Sequence, residues 1–197
     1  MSRIFFTADY HFDHANIIKY ANRPFMHYED LNEDLDWLSD DIKYKRCQEM
    51  NMALINNHNN KVSDDDIVYH LGDFCFKHKG NAQYWENHLN GKIVHIRGNH
   101  DKNNGVKSII THAIMEYGGI IIYATHRPPD EFQEGTIEEM LIQASDVILC
   151  GHVHGLWKHK MNRGKLMINV GVDVWGYEPV SIHSILKYIA KVRKGLV

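Results

Sequence analysis

Cysteine is scarce in this chain. Only Cys47, Cys75 and Cys150 occur among 197 residues, and no two are spaced as a CxxC pair. That excludes a disulfide framework and a zinc knuckle, and leaves reduced, mostly buried thiols as the expected state. A basic run is missing too, and the formal net charge is −3. Proteins that grip long nucleic acid usually carry a basic stripe, so a small or neutral substrate is favoured here. No apolar stretch approaches membrane-spanning length, and the opening run turns polar at Asp9, too early for a secretory leader. A cytoplasmic location with no membrane partner is expected. Repeats, low-complexity tracts and Pro/Gly-rich linkers are also lacking. Residues 1–197 are therefore expected to form one domain, long enough for a sizeable core.

What the chain does have is histidine, 15 in all. Histidine is the commonest metal ligand and the usual acid or base near neutral pH, but number alone decides nothing and position must. Short runs rich in Ile, Val and Phe at 3–7, 67–71, 92–97, 113–117, 120–125, 147–150 and 166–170 read as buried strands. Helical spacing marks 47–58, 135–144 and 181–193, the last with Ser181 as its cap and a stripe of Ile182, Ile185, Leu186 and Ile189. Alternation of the two kinds predicts a layered α/β fold. Residues 29–46 are acidic, then carry Trp37, Leu38, Ile42 and Tyr44. Their periodicity favours an amphipathic helix packed on the body, with a mobile lid as the alternative.

The polar residues fall at the strand ends. The first strand is followed by Asp9 and His11, the second by Gly72-Asp73, and the third by Gly98-Asn99-His100-Asp101. The run 120–125 is followed by His126, and 147–150 by Gly151-His152-Val153-His154. Carboxyl ends of parallel strands are where ligands gather in α/β sheets. Imidazole with carboxylate and no thiolate suits Mn, Fe, Zn or Ni over Ca. Seven candidates (Asp9, His11, Asp73, Asn99, His126, His152 and His154) are too many for one tetrahedral ion and suit two. Two dications about 3.5–4 Å apart clamp the attacking and leaving oxygens of a phosphoryl displacement. Their repulsion requires a shared anion between them, and Asp73 is the natural bridge. His152 and His154, two apart in an extended loop, can each reach a different metal. With Asn99 offering its amide oxygen to a metal, His100 is left as the acid for the leaving group.

Together the motifs D-Y-H, G-D, G-N-H-D, T-H-R-P and G-H-V-H resemble those of the calcineurin-like metallophosphoesterase family. The opening D-Y-H-F-D-H-A-N-I-I-K-Y-A-N-R-P-F and the later N-V-G-V-D-V-W are similar to small bacterial and phage members. The resemblance implies a four-layer αββα sandwich, two β-sheets packed face to face and flanked by helices. It implies two divalent metal ions, manganese first, with iron, zinc, nickel or magnesium as alternatives. Asp9, His11, Asp73 and His154 would hold one ion, and Asp73, Asn99, His126 and His152 the other. His100 would act as general acid and touch a phosphate oxygen. The implied reaction is hydrolysis of a phosphate ester by a hydroxide held between the ions. A phosphomonoesterase, a nuclease, or a non-catalytic scaffold like the family's retromer subunit are the alternatives.

Departures narrow the substrate. Protein phosphatases of the superfamily extend the second motif to G-D-x-V-D-R-G, whereas here Phe74-Cys75-Phe76-Lys77-His78 follows Asp73. A small phosphodiester is expected rather than a phosphoprotein. Asp13 stands where the resemblance leads one to expect glycine. Arg23, Arg97 and Arg127 are open to two readings, phosphate binding through the guanidinium fork or structural ion pairing. His14, His27, His70, His78 and His95 are expected to be exposed or hydrogen-bonded. Phe74, Phe76 and Trp175 are expected to pack in the core, and Asn169 and Gly171 to shape a turn beneath the site.

Overall fold

The computed structural model describes residues 2–32, 34, 36–76, 81–129 and 135–197, and among these two sheets account for nine strands. The first sheet has the order β3-β2-β1-β9, with β1 (Ile4–Thr7), β2 (Ile67–His70), β3 (Lys92–His95) and β9 (Val180–Ser181). Its first three strands run parallel, and β9 lies antiparallel against β1, with Phe6 opposite Val180. The second sheet has the order β4-β5-β6-β8-β7: β4 (His112–Tyr117), β5 (Ile120–Thr125), β6 (Val147–Cys150), β7 (His159–Asn162) and β8 (Lys165–Asn169). β5, β6 and β8 are parallel, with β4 and β7 antiparallel on the edges.

Period-two alternation builds the layers. Phe6 and Ala8 from the first sheet meet Ile122, Ala124, Leu149 and Ile168 from the second in one buried cluster, joined by Ile182, Ile185 and Ile189 of α5 (Ile182–Arg193). The neighbouring Phe5 and Val68 turn the other way, beneath Val62 at the end of α2 (Asp40–Lys61). Tyr123, Ile148 and Met167 face outward under Ile142 of α4 (Ile137–Ala144). The result is an α/β sandwich of two mixed sheets with helices outside. α1 (Ala15–Tyr20) and α3 (Asn81–Glu86) add to the helical layer over the first sheet, where Ile17, Ile18, Met50, Leu54 and Trp85 share a core. Ser181 caps α5 as expected, its Oγ accepting the Ser184 amide at 3.2 Å. Cys47, Cys75 and Cys150 are buried and form no disulfide. No helix among the described residues is long and apolar enough to cross a membrane.

Residues 29–46 do not form the single helix their periodicity suggests. Tyr28–Asp30 make a short 3-10 turn, Leu31 and Trp37 pair as an antiparallel bridge, and helix begins only at Asp40. Side chains that capture local backbone are the reason. Asn32 Oδ1 accepts the amides of Asp34 and Asp36, and Ser39 Oγ accepts that of Ile42 and so starts α2. Asp30 is turned inward by a two-pronged contact from Arg46, 2.7 and 3.1 Å.

Candidate metal centre

The loops after β1 and β2 descend side by side. The amides of Asp9, His11 and Phe12 donate to the carbonyls of Gly72, Asp73 and Phe74 at 3.0–3.1 Å. Asp9, His11, Asp73, His152 and His154 all have positive φ, between 47° and 71°. L-residues rarely adopt that conformation, at a cost of about 1–3 kcal/mol each, and it concentrates where function requires it. Two glycines allow the loops to close on one another. A Cβ at Gly98 would collide with the carboxylate and amide of Asp73, and one at Gly151 would lie 2.7 Å from Asp9 Oδ2.

Ligand atoms fall into two groups, each within 4.8 Å: Asp9, His11 and His154 in one, Asp73, His126 and His152 in the other. Asn99 joins the second, its Oδ1 lying 3.0 Å from His126 Nε2. Asp73 Oδ2 stands between the groups, 3.7 Å from His11 Nε2 and 3.4 Å from His126 Nε2. All seven sequence-derived candidates thus meet at one end of the two sheets.

Hydrogen bonding tests whether these donors suit a cation. His126 Nδ1 faces the Leu71 carbonyl at 2.7 Å, which can only accept, so the neutral ring carries its proton there. Its Nε2 lone pair then points at the oxygens of Asn99 and Asp73 with no proton to share. His154 Nδ1 likewise donates to Asp173 Oδ2 at 2.9 Å, leaving Nε2 free. His11 Nε2 is buried without any hydrogen-bond partner. Lone pairs converging in a buried space call for positive charge, and the donors fit divalent ions.

Acid–base behaviour shows the same demand. Burial pushes the Asp9 carboxyl up to about 6, against the pull of His126 and His154. Burial pushes Asp73 upward as well, but were His126 protonated, its hydrogen bond and charge, with the His100 amide, would hold that carboxyl well below the ordinary range. Burial alone would keep His126 and His154 neutral, yet the carboxylates around them raise both. His11 is held well below its usual value by burial, and so remains a neutral lone-pair donor.

Three supporting residues carried no role in the sequence reading. Asp173 orients His154 and is itself gripped by Arg23, Nε to Oδ1 at 2.9 Å and Nη2 to Oδ2 at 3.1 Å. Asp101, 2% exposed, accepts the amides of Asp73, Phe74 and Gly98, which locks two ligand loops together. Asn104 fastens that lock by donating to Asp101 and to the Cys75 carbonyl. The last aspartate of G-N-H-D and the aspartate of N-V-G-V-D were the available signals. Asn169 does shape the turn beneath the site, donating to the carbonyls of His154 and Trp157 and accepting the Gly171 amide.

The arginines separate. Arg23 is 1% exposed, and its fork is taken up by Asp173 and the carbonyls of Asp9 and Tyr10. It is a structural ion pair and no substrate ligand. Arg127 is exposed, with its charge near enough to His152 to lower that imidazole alongside burial and His126. Arg97 is exposed. His100 is exposed too, its amide donating to Asp73 Oδ1 at 2.8 Å and its ring 5.7 Å from that of His11.

Among the remaining histidines, His95 pairs with Glu86 at 2.8 Å and His27 is exposed. His14 lies with its Nδ1 3.3 Å from that of His11 and its ring stacked on Phe76. His78 lies outside the described residues. His70 corrects the expectation: it is 1% exposed with neither ring nitrogen hydrogen-bonded, because the rings of Tyr10, Phe74 and His95 enclose it. Phe74 is in the core, and Trp175 packs on Tyr188 with its Nε1 donating to Asn169 O.

Comparison with known proteins adds the family. The profile described as the calcineurin-like phosphoesterase superfamily domain matches residues 50–183. An uncharacterized protein of Methanocaldococcus jannaschii, MJ1445, is 38% identical over 196 residues, covering 97% of this chain and 93% of its own. The crystal structure of AQ665, a protein of unknown function from Aquifex aeolicus, has the same fold, with a TM-score of 0.63 and 23% identity over 95% of this chain and all of its own.

Proposed function

The chain belongs to the calcineurin-like phosphoesterase superfamily, and from that premise we propose that it is a dinuclear metal-dependent phosphoesterase that hydrolyses a small phosphodiester. The observation that carries the reading is the set of lone pairs meeting around Asp73, with one carboxylate oxygen placed between two ligand groups. Asp9, His11, Asp73 and His154 would hold one ion, and Asp73, Asn99, His126 and His152 the other. Manganese is the first expectation, before iron, zinc, nickel or magnesium. The chemistry such a pair supplies is Lewis acidity toward a phosphoryl oxygen and activation of a water at neutral pH.

The chain's own groups do the rest. His100, anchored through its amide to Asp73 but with an exposed ring, delivers a proton to the departing ester oxygen. Asp173 keeps the His154 proton on Nδ1, away from the centre. Arg127 supplies cationic character beside His152 for a phosphate oxygen. With Arg23 committed to Asp173, little cationic charge is left to hold a dianionic monoester, so a singly charged diester fits better. Asp13 is engaged by the side-chain amides of Gln48, Asn51 and Asn81.

The test combines composition and rate. Gently purified protein should approach two transition-metal ions per chain, and Asp73→Asn should lower both occupancies. Under one metal condition, kcat/KM should be higher for an aryl phosphodiester or a cyclic nucleotide than for a nucleoside monophosphate or a phosphopeptide. A metal-loaded protein inert toward all four would sink the enzymatic reading in favour of a scaffold. A clear win for the monophosphate would overturn only the diester preference.

A further inference from the structure

We infer that the pocket opening beside His152 and His154 is a subsite for a neutral planar ester substituent, an aryl group or a nucleobase; this rests on the phosphoesterase reading and narrows its substrate. The pocket measures about 560 Å³ and is continuous with the metal centre through those two histidines, a size that suits a small organic group. Tyr20 and Leu156 stand at its lip, 74% and 82% exposed. Both offer apolar surface that a planar group entering the pocket would cover.

Tyr177 forms another part of the lining. Tyr177 has a φ of +62°, and its backbone N–H donates a hydrogen bond to the Val172 carbonyl at 2.9 Å. Its ring meets Phe25 edge-on at 5.5 Å and lies 5.9 Å from the Arg23 guanidinium. A tyrosine fixed in the left-handed region by contacts on both sides is a strained and positioned wall, of the kind found at ligand clamps. Leu156 is set by its own amide, which donates to Val153 O at 3.0 Å.

Charge selects against other occupants. No lysine or arginine is among the described residues lining the pocket, so a second phosphate or a polyanionic strand finds no partner there. Its carboxylate, Asp173, is already paired with Arg23 and hydrogen-bonded by His154, so a cation gains little. Planar aromatic surface flanked by tyrosine and leucine, with Asn22 for a polar edge, is what remains complementary. The similarly sized cavity between α2 and α3 differs, being lined by Asp13, Asp40 and Lys43 and by none of the metal ligands.

The experiment measures preference by calorimetry on the metal-loaded protein, with phenylphosphonate and methylphosphonate as probes, in the native chain and in Tyr20→Ala/Leu156→Ala. The phenyl compound should bind about 10-fold tighter to the native protein, the scale of discrimination an apolar pocket gives. That ratio should fall toward one in the double variant. A native ratio near one, or a ratio unchanged in the variant, would overturn the subsite. Adenosine monophosphate against ribose 5-phosphate repeats the comparison for a base, and a larger ratio for this pair identifies a nucleobase as the occupant. Should the ratios behave as expected while no ester is cleaved, the subsite stands and the hydrolytic reading falls.

Discussion

Asp173 shows how much of the centre is carried by residues that never touch a metal. It fixes which nitrogen of His154 bears the proton, and Arg23 fixes Asp173 in turn. Asp173→Asn should weaken metal affinity by about 10–100-fold, seen in a metal titration, and should also lower stability because it leaves the Arg23 charge buried with a poorer partner. His100→Ala predicts the opposite division. Metal content should hold, while turnover drops by about 10²–10⁴-fold. The loss should shrink for an ester whose leaving group is already a weak base, and an equal loss across leaving groups would count against the acid role. A pH prediction comes from the far side of the first sheet. Hydrogen bonds from Arg3 outweigh burial and draw the Asp66 carboxyl down to about 2. A folded value below the unfolded one means the contribution is full above about pH 4 and is lost as pH falls through about 2. The difference in Tm between native protein and Asp66→Asn should therefore be greatest above pH 5 and shrink as pH falls through about 2. The candidate ligands were legible because residue type announces chemistry and each sits beside a strand end. Asp101, Asp173 and Asn104 were not, since they act through other residues whose approach only the tertiary fold creates; for Arg23 the sequence left phosphate binding and ion pairing open, and the fold decides for the ion pair.

At the level of elements, the short Ile/Val/Phe runs of β1, β5, β6 and β8 were readable because both faces of those strands are covered, one by the other sheet and one by helices. The edge strand β7, His159–Asn162, was not, since its sequence HKMN has no apolar run to mark it. Two-residue β9 exists only by virtue of its pairing with β1. Helix α1, six residues long, carries too little periodicity to stand out, and α3 is equally short. Residues 29–46 misled because apolar spacing was read without the competing Asn32 and Ser39 side chains. Two substitutions test this level. Ser39→Ala should cost about 1 kcal/mol by removing the cap of α2, measured by denaturant unfolding. Gly98→Ala should be worse, about 1–3 kcal/mol, because the added methyl meets backbone and carboxylate that have no room to yield. It should lower metal content together with stability, whereas Ser39→Ala should leave metal content alone.

For the molecule as a whole, each ligand group draws from both sheets: Asp9 and His11 follow the first and His154 the second, while Asp73 follows the first and His126 and His152 the second. Bound ions would therefore tie the layers to one another. With metal at 100 times its dissociation constant, linkage adds about 2.7 kcal/mol, or roughly 5–10 °C in Tm for a domain near this size. Thermal scans with and without a chelator should show that shift, and an unchanged Tm would argue against tight binding across the layers. The pairing of β1 with β9 sets a different constraint, one of time. Phe6 meets Val180 only after nearly all of the intervening chain exists. At about 5–20 residues per second of synthesis, β1 waits roughly 9–35 s on the ribosome with one edge open and its phenylalanines uncovered by their final neighbours. A newborn chain of this protein is thus open to sticking at β1 until Val180 and Ser181 have been made and can cover that edge.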